Sequence, residues 1–258
     1  MSAQIAEIAA EIDRLGLRPE TCSAIFIGGS LSRGWGHARS DVDAYIVSTI
    51  PWSGPADGHN RVKLDPPVIP LRIFDVGGRR CEVRFWLDSQ VDQLFAKLTW
   101  SEFERERRLA DLSAFEAALL SRVKYAVPID GEDWLVGRRE QLAGSAYRSM
   151  VVAQLLDIVD GHVEDALGLL ESGDHRAAAI AAQTALERVV EALLSSRGDM
   201  TSVAKWRVRR LEEANLEVLS ADRYWEIATF RTYDPDKPQV WVESVLETCR
   251  QIILEVEG

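Results

Sequence analysis

The chain has no run of about 18 apolar residues, so no membrane-spanning helix is expected. It has three cysteines, Cys22, Cys81 and Cys249, odd in number and widely spaced. That pattern offers neither a disulfide framework nor a zinc site and fits a reducing cytoplasm. The first residues, MSAQIAEIAAEIDRLG, lack an early basic region and carry acids throughout, so no secretory signal is expected. There is no internal repeat and no low-complexity segment. Histidine is scarce, with four residues and the last at His175. Basic charge is also in deficit: the net charge is −11. Residues 1–145 hold 18 basic and 21 acidic side chains, and residues 146–258 hold 12 and 20. A general DNA or RNA binder needs a basic surface to offset phosphate repulsion, and this chain offers the reverse.

What is present is concentrated in residues 28–47, GGSLSRGWGHARSDVDAYIV. Residues 23–27, SAIFI, read as a buried strand. Gly28 and Gly29 let the backbone pass close to a ligand. Ser30 then opens a short helix, where free N–H groups favour an anion. Gly34 and Gly36 keep the next turn slim. Asp41 and Asp43 follow on a second strand, and because side chains alternate they share one face. Val42, Ala44 and Ile46 point the other way and suit a half-buried strand. Two carboxylates side by side repel each other, and a divalent cation would remove that repulsion. Mg²⁺ takes oxygen ligands and combines one or two carboxylates with substrate phosphates. Ser40 can cap or hydrogen-bond near them.

The segment 79–87, RRCEVRFWL, supplies a third acid. Cys81, Val83, Phe85 and Leu87 form a core face, which leaves Arg80, Glu82, Arg84 and Trp86 on the open side. A strand over 71–76 joins it through Gly77-Gly78, a hairpin signal. The alternative reading of Glu82 is a structural ion pair with Arg80 or Arg84.

Gly-Ser, then Asp-x-Asp, then a later strand carrying Glu resembles the nucleotidyltransferase superfamily that includes DNA polymerase β. Within it the chain is most similar to small bacterial aminoglycoside nucleotidyltransferases with an added helical domain, over residues 22–87. The resemblance implies that Asp41 and Asp43 hold Mg²⁺, with Glu82 as third carboxylate and general base, in a site of two ions. It implies that Gly29 and Ser30 bind the β- and γ-phosphates of ATP or another nucleoside triphosphate, with Arg33 and Ser40 alongside. In such relatives a lysine of the helical domain reaches the triphosphate, a part that falls here to Lys205, with Arg209 one turn later. The implied reaction moves AMP, or another nucleoside monophosphate, onto a hydroxyl of a small acceptor and releases pyrophosphate. An aminoglycoside-like, cationic acceptor suits the acidic second part and would make the protein an antibiotic-resistance enzyme. The acidity also serves solubility alone. The competing readings are modification of a protein or tRNA, as in toxin–antitoxin systems, a biosynthetic enzyme acting on a sugar or natural-product intermediate, and a non-catalytic nucleotide-binding protein. Relatives often form dimers with shared clefts, so the resemblance allows a homodimer.

Weaker candidates surround these. His37 and Arg39 lie between the glycines and the aspartates. Trp100, Glu102, Glu104 and Asp111 could face an acceptor's ammonium groups, although a run such as SEFERERR is usually a solvated face. Residues 51–69, rich in Pro and Gly, read as a loop carrying Trp52, His59, Arg61 and Lys63, a surface excursion unless it folds over the nucleotide.

The expected fold class is α+β: a small mixed β-sheet domain over 1–130, then an all-α helical bundle over 131–258. The first domain runs α-β-α-β, loop, β-hairpin, then helices at 89–98 and 112–124. Residues 126–133 read as a turn and the boundary. Helices follow at about 150–170, 175–194, 202–214, 221–227 and 239–257, in an up-and-down bundle. The run 171–198 resembles the helical domain paired with minimal nucleotidyltransferases. That domain also occurs as an RNase marked by a late-helix His, which this chain lacks. Alanines such as Ala178, Ala182 and Ala185 read as helix packing, and Trp206 as a core anchor.

Overall fold

A computed structural model describes residues 2–106 and 110–257. The chain forms two compact units, one of Met1–Glu102 with Ala110–Ser145 and one of Phe103–Leu109 with Ala146–Gly258. It is an α+β protein: a mixed sheet with flanking helices, followed by a helical region. Among the described residues no helix is long and apolar enough to cross a membrane.

The sheet holds β1 (Cys22–Gly28), β2 (Val42–Ser48), β3 (Gly58–Arg61), β4 (Val68–Val76), β5 (Arg79–Leu87) and β6 (Val127–Asp130) in the order β3-β4-β5-β2-β1-β6. Every neighbouring pair is antiparallel except β2 and β5, which run parallel. Gly77 and Gly78 both take positive φ, 58° and 77°, so the β4–β5 turn has the twist that two-residue hairpins favour.

One sheet face buries Ile25, Ile27, Val42, Ala44, Ile46, Cys81, Val83 and Phe85 under Ile8 and Ile12 of α1 (Ser2–Arg14). Each such aliphatic side chain contributes about 1.5–3 kcal/mol when fully buried. The opposite face is not open along its length. Phe26 stacks on Tyr45 at 5.1 Å and on Trp134 at 6.1 Å, and Trp86, expected on the open side, is buried. Only the end of this face carrying Asp43 and Glu82 stays polar.

Two segments differ from their sequence reading. The stretch 51–69 contains β3, an edge strand paired to β4, and Trp52 within it stacks on Phe85 at 4.2 Å. Its later half is pinned down. Gln90 and Gln93 of α3 (Asp88–Ala96) bond the backbone of residues 65, 66 and 68, and Glu116 of α5 (Ala114–Tyr125) accepts from the Lys63 N–H. The stretch 126–133 contains β6, which pairs with β1. Consequently α6 (Glu132–Gly144) belongs to the first unit, which extends to Ser145 rather than ending at 130. Trp134 of α6 donates to Asp88 Oδ1 at 2.7 Å and Arg138 pairs with Asp92 at 2.6 Å, tying α6 to α3. Between α3 and α5 lies α4 (Trp100–Glu106).

In the second unit α7 (Tyr147–Glu171), α8 (His175–Ser196) and α11 (Pro238–Glu257) pack around Val159, Leu186, Val189, Val190, Trp241 and Ile252. Asp174 caps α8 through the Ala177 N–H, and Ala178, Ala182 and Ala185 lie fully in the core. The basic run KWRVRR splits in two. A 3₁₀ turn (Ala204–Trp206) leads into α9 (Arg207–Ala214), and Arg207 and Arg210 turn inward. Both bond Glu191 of α8, at 2.8 and 2.6 Å, and Arg207 also donates to Tyr224 of α10 (Ala221–Ala228) at 2.7 Å. Burial opposes the charge on Arg207, but the bonds to Tyr224 and Glu191 outweigh it and hold the guanidinium above its ordinary pKa.

Glu191→Ala leaves two buried guanidinium groups short of their shared counter-ion. It should lower unfolding free energy by about 3–5 kcal/mol, measured by denaturant titration. Arg209→Gln, at an exposed position, should change it by less than about 0.5 kcal/mol.

Candidate functional site

The β1–β2–β5 register builds the candidate site. Gly28 lies opposite Asp43, and Asp43 lies opposite Glu82, so the three form one row across adjacent strands. Gly29 then starts α2 (Gly29–Ser32) with φ +72°. A Cβ at Gly29 would overlap Asp43 Oδ2, so glycine is required twice over, by conformation and by space. Asp41 stands just before β2, exposed.

Arginines occupy the two carboxylates. Arg84 reaches both: Nη1 lies 3.1 Å from Asp43 Oδ1, and Nη2 lies 2.6 Å from Glu82 Oε2. Arg80 pairs with Glu82 Oε1 at 2.7 Å. Arg122 of α5 approaches Asp43 Oδ2 at 3.5 Å, and its buried Nε has no hydrogen-bond partner. Burial works against the charge on Arg84, but Tyr45, Asp43 and Glu82 raise its pKa. The Tyr45 phenol, buried beside this cluster, is pushed up to about 12, first by burial. Sequence reasoning placed Arg80 and Arg84 on the Glu82 face but missed Arg122, which comes from a helix about eighty residues beyond Asp43 and carries no local signal.

The other expected residues fall as follows. Ser30 lies within α2, and its carbonyl accepts from the Trp35 N–H at 2.9 Å. The Arg33 guanidinium lies over the rings of Trp35 and Tyr125, at 3.6 and 4.1 Å. Ser40 closes a turn with His37: its Oγ accepts from the His37 N–H and its own N–H donates to the His37 carbonyl, both at 2.9 Å. His37 Nδ1 accepts from the Arg39 N–H. Ser40 and His37 thus shape the turn that delivers Asp41. Lys205 and Arg209 belong to the second unit, both exposed, with their charged groups 5.0 and 5.1 Å from the Trp206 ring. Trp206, expected as a core anchor, is only half-buried and carries the two cations near its ring. Lys63 pairs with Asp111, and the Trp100 indole donates to the Gly144 carbonyl.

Asp41, Asp43 and Glu82 offer only oxygen donors, the chemistry Mg²⁺ requires. They are not gathered as a metal cage. Among the described residues no three His, Cys, Asp or Glu side chains are grouped to hold an ion, and the Asp43 and Glu82 oxygens face guanidinium groups.

No family model matches the chain, and no curated protein matches it. Solved structures similar to it include the crystal structure of a nucleotidyltransferase-like protein from Exiguobacterium sibiricum 255-15, at 14% identity, covering 98% of this chain and 79% of that one with a TM-score of 0.40. At that score the likeness carries no functional weight.

Gly29→Ala and Gly34→Ala both place a side chain at positive φ, but only the first meets an obstacle, since nothing lies within 4 Å of a Cβ at Gly34. Gly34→Ala should cost about 1 kcal/mol, and Gly29→Ala roughly 1–3 kcal/mol more as Asp43 is displaced. Thermal unfolding of the pair tests the packing. The Tyr45 phenol carries its proton more firmly in the folded chain than in the unfolded one. Its contribution is intact below the unfolded value near 10 and is lost as pH rises towards 12. Absorbance titration should show Tyr45→Phe removing a phenol that ionises only in that range, together with part of the alkaline loss of stability.

Proposed function

We propose that the chain is a nucleotidyltransferase that moves a nucleoside monophosphate, AMP in the first instance, onto a hydroxyl of a small acceptor. The observation that carries this reading is the cross-strand row in which Gly28 and Gly29, Asp43 and Glu82 are neighbours. Backbone that can approach an anion stands beside carboxylates that can engage a cation and a proton. Asp41, exposed at the start of β2, would join Asp43 and Glu82 in holding Mg²⁺. When bound, the ion would neutralise charge developing on the triphosphate.

The remaining work falls to the chain's own groups. Glu82 takes the proton of the acceptor hydroxyl through Oε1. Its partner there, Arg80, is 53% exposed, and such solvent-screened pairs are weak, so this oxygen is the one that can be released. In the free chain the other oxygen rests on Arg84, whose side chain is only 14% exposed and which orients the carboxylate there. Arg122 and Arg84 supply positive charge where phosphate would lie, the arrangement that stabilises transferring groups by position and electrostatics. The acidic balance of residues 146–258 supports a cationic acceptor, an aminoglycoside-like compound being the leading candidate.

A second reading has its own observation. Because arginines hold both carboxylates, the same row could bind a nucleotide without turning it over.

Incubation with Mg²⁺, labelled ATP and a panel of aminoglycosides, sugars, proteins and tRNA decides between them. Pyrophosphate release that depends on the small-molecule acceptors is the expected result. Asp41→Asn and Asp43→Asn should each reduce it by roughly 100-fold or more while the variants stay folded. Release dependent on protein or tRNA would move the acceptor class. ATP binding without release would establish the second reading, and absence of both would overturn the two together.

A further inference from the structure

Among the described residues Arg84 is the one side chain that bonds both carboxylates, one nitrogen to each. It sits on β5 two residues after Glu82, so the alternation of the strand returns it to the same face. The parallel register then brings Asp43 within reach of the other arm of its fork. This is the electrostatic service a divalent ion would perform for two adjacent carboxylates, and both cannot perform it on the same oxygens. Arg122 and Arg80 face the outer oxygens at 3.5 and 2.7 Å as further internal counter-charges.

We propose that Arg84 is an internal counter-ion that keeps a divalent cation off Asp43 and Glu82 until a polyphosphate draws its guanidinium away. This rests on the nucleotide-handling reading of the site. A triphosphate offers Arg84 bidentate oxygen acceptors equivalent to those it leaves, so the exchange strands no charge. Nucleotide and cation then bind with positive coupling, and the coupling is reciprocal. The free chain is a poor cation binder by construction, which protects the site from binding metal unproductively.

The test measures binding in the full-length chain, not turnover. Mn²⁺ alone is titrated into wild type, Arg84→Gln and the Arg84→Gln/Asp43→Asn double variant, with free ion read by electron paramagnetic resonance. Arg84→Gln should bind Mn²⁺ about tenfold or more tightly than wild type, and the second substitution should abolish the gain. Arg84→Lys, which keeps the charge but cannot bridge two carboxylates, should fall between them. It carries the same comparison should circular dichroism show Arg84→Gln to be unfolded. In parallel, a non-hydrolysable ATP analogue is bound at buffered free Mn²⁺ and in chelator. Wild type should show the metal strengthening analogue binding, and the Arg84 variants should show less of it. Equal Mn²⁺ affinity in wild type and the Arg84 variants, or a gain that survives Asp43→Asn, overturns the proposal. Failure of wild type to bind the analogue at all would instead remove the nucleotide reading, and the comparison with Mn²⁺ alone would still judge Arg84.

Discussion

Everything in the candidate site follows from the parallel register of β2 and β5, which places Asp43 directly beside Glu82. Like charges opposite one another on neighbouring strands destabilise a sheet. A fold keeps such a pair only with a counter-charge in place. Arg84 meets that demand from the same strand as Glu82, and its planar fork lets one side chain satisfy two carboxylates. A lysine there would supply the charge but not the bridge. The absence of a Cβ at Gly29 completes the geometry, because Asp43 Oδ2 fills the space a side chain would take.

The remainder of the first unit gives this polar corner its rigidity. Beneath β2 and β5 lies an apolar layer closed by α1. Above them Tyr45, Phe26, Trp86 and Trp134 bury all but the charged end of the face. The charged cluster of Asp43, Arg80, Glu82 and Arg84 thus lies along the start of β2 and the first part of β5, beside Gly28 at the end of β1. The second unit solves a similar problem in another way. Glu191 is shared by Arg207 and Arg210 inside the helical packing, with Tyr224 taking a further donor. Those four side chains are all buried, whereas the group around Glu82 has a member in Arg80 that is largely exposed. The buried network stabilises packing, and the other is reachable from solvent at Arg80.

Much of this was legible in the sequence. Strands β1 and β2 announce themselves by apolar runs, the β4–β5 hairpin by paired glycines between alternating segments, and the long helices by their apolar faces. Glu82 was assigned to the face of Asp43 from alternation alone. The short edge strands were not legible. GHNR has no apolar periodicity, so β3 exists only because β4 offers it a ladder. VPID carries a proline that an edge strand tolerates and a sequence reading takes for a turn. Missing β6 also displaced the boundary, since α6 follows it directly. The cationic side of the site was half seen. Arg84 lay on the right face, but its bridge depends on a strand register that no local pattern encodes, and Arg122 arrives from a helix far along the chain. The inward turn of Arg207 and Arg210 in the run KWRVRR was hidden for the same reason. Its charge is visible, but the partner that draws Arg207 and Arg210 inward stands on another helix.

The site depends on Arg84 coupling to Glu82 in the folded chain. A double-mutant cycle of Arg84→Gln and Glu82→Gln, followed by denaturant unfolding, measures that coupling directly. A partly buried, charge-assisted pair in contact should give an interaction energy of about 1–3 kcal/mol. Strictly additive losses, with coupling within about 0.3 kcal/mol of zero, would contradict the arrangement on which the site is built.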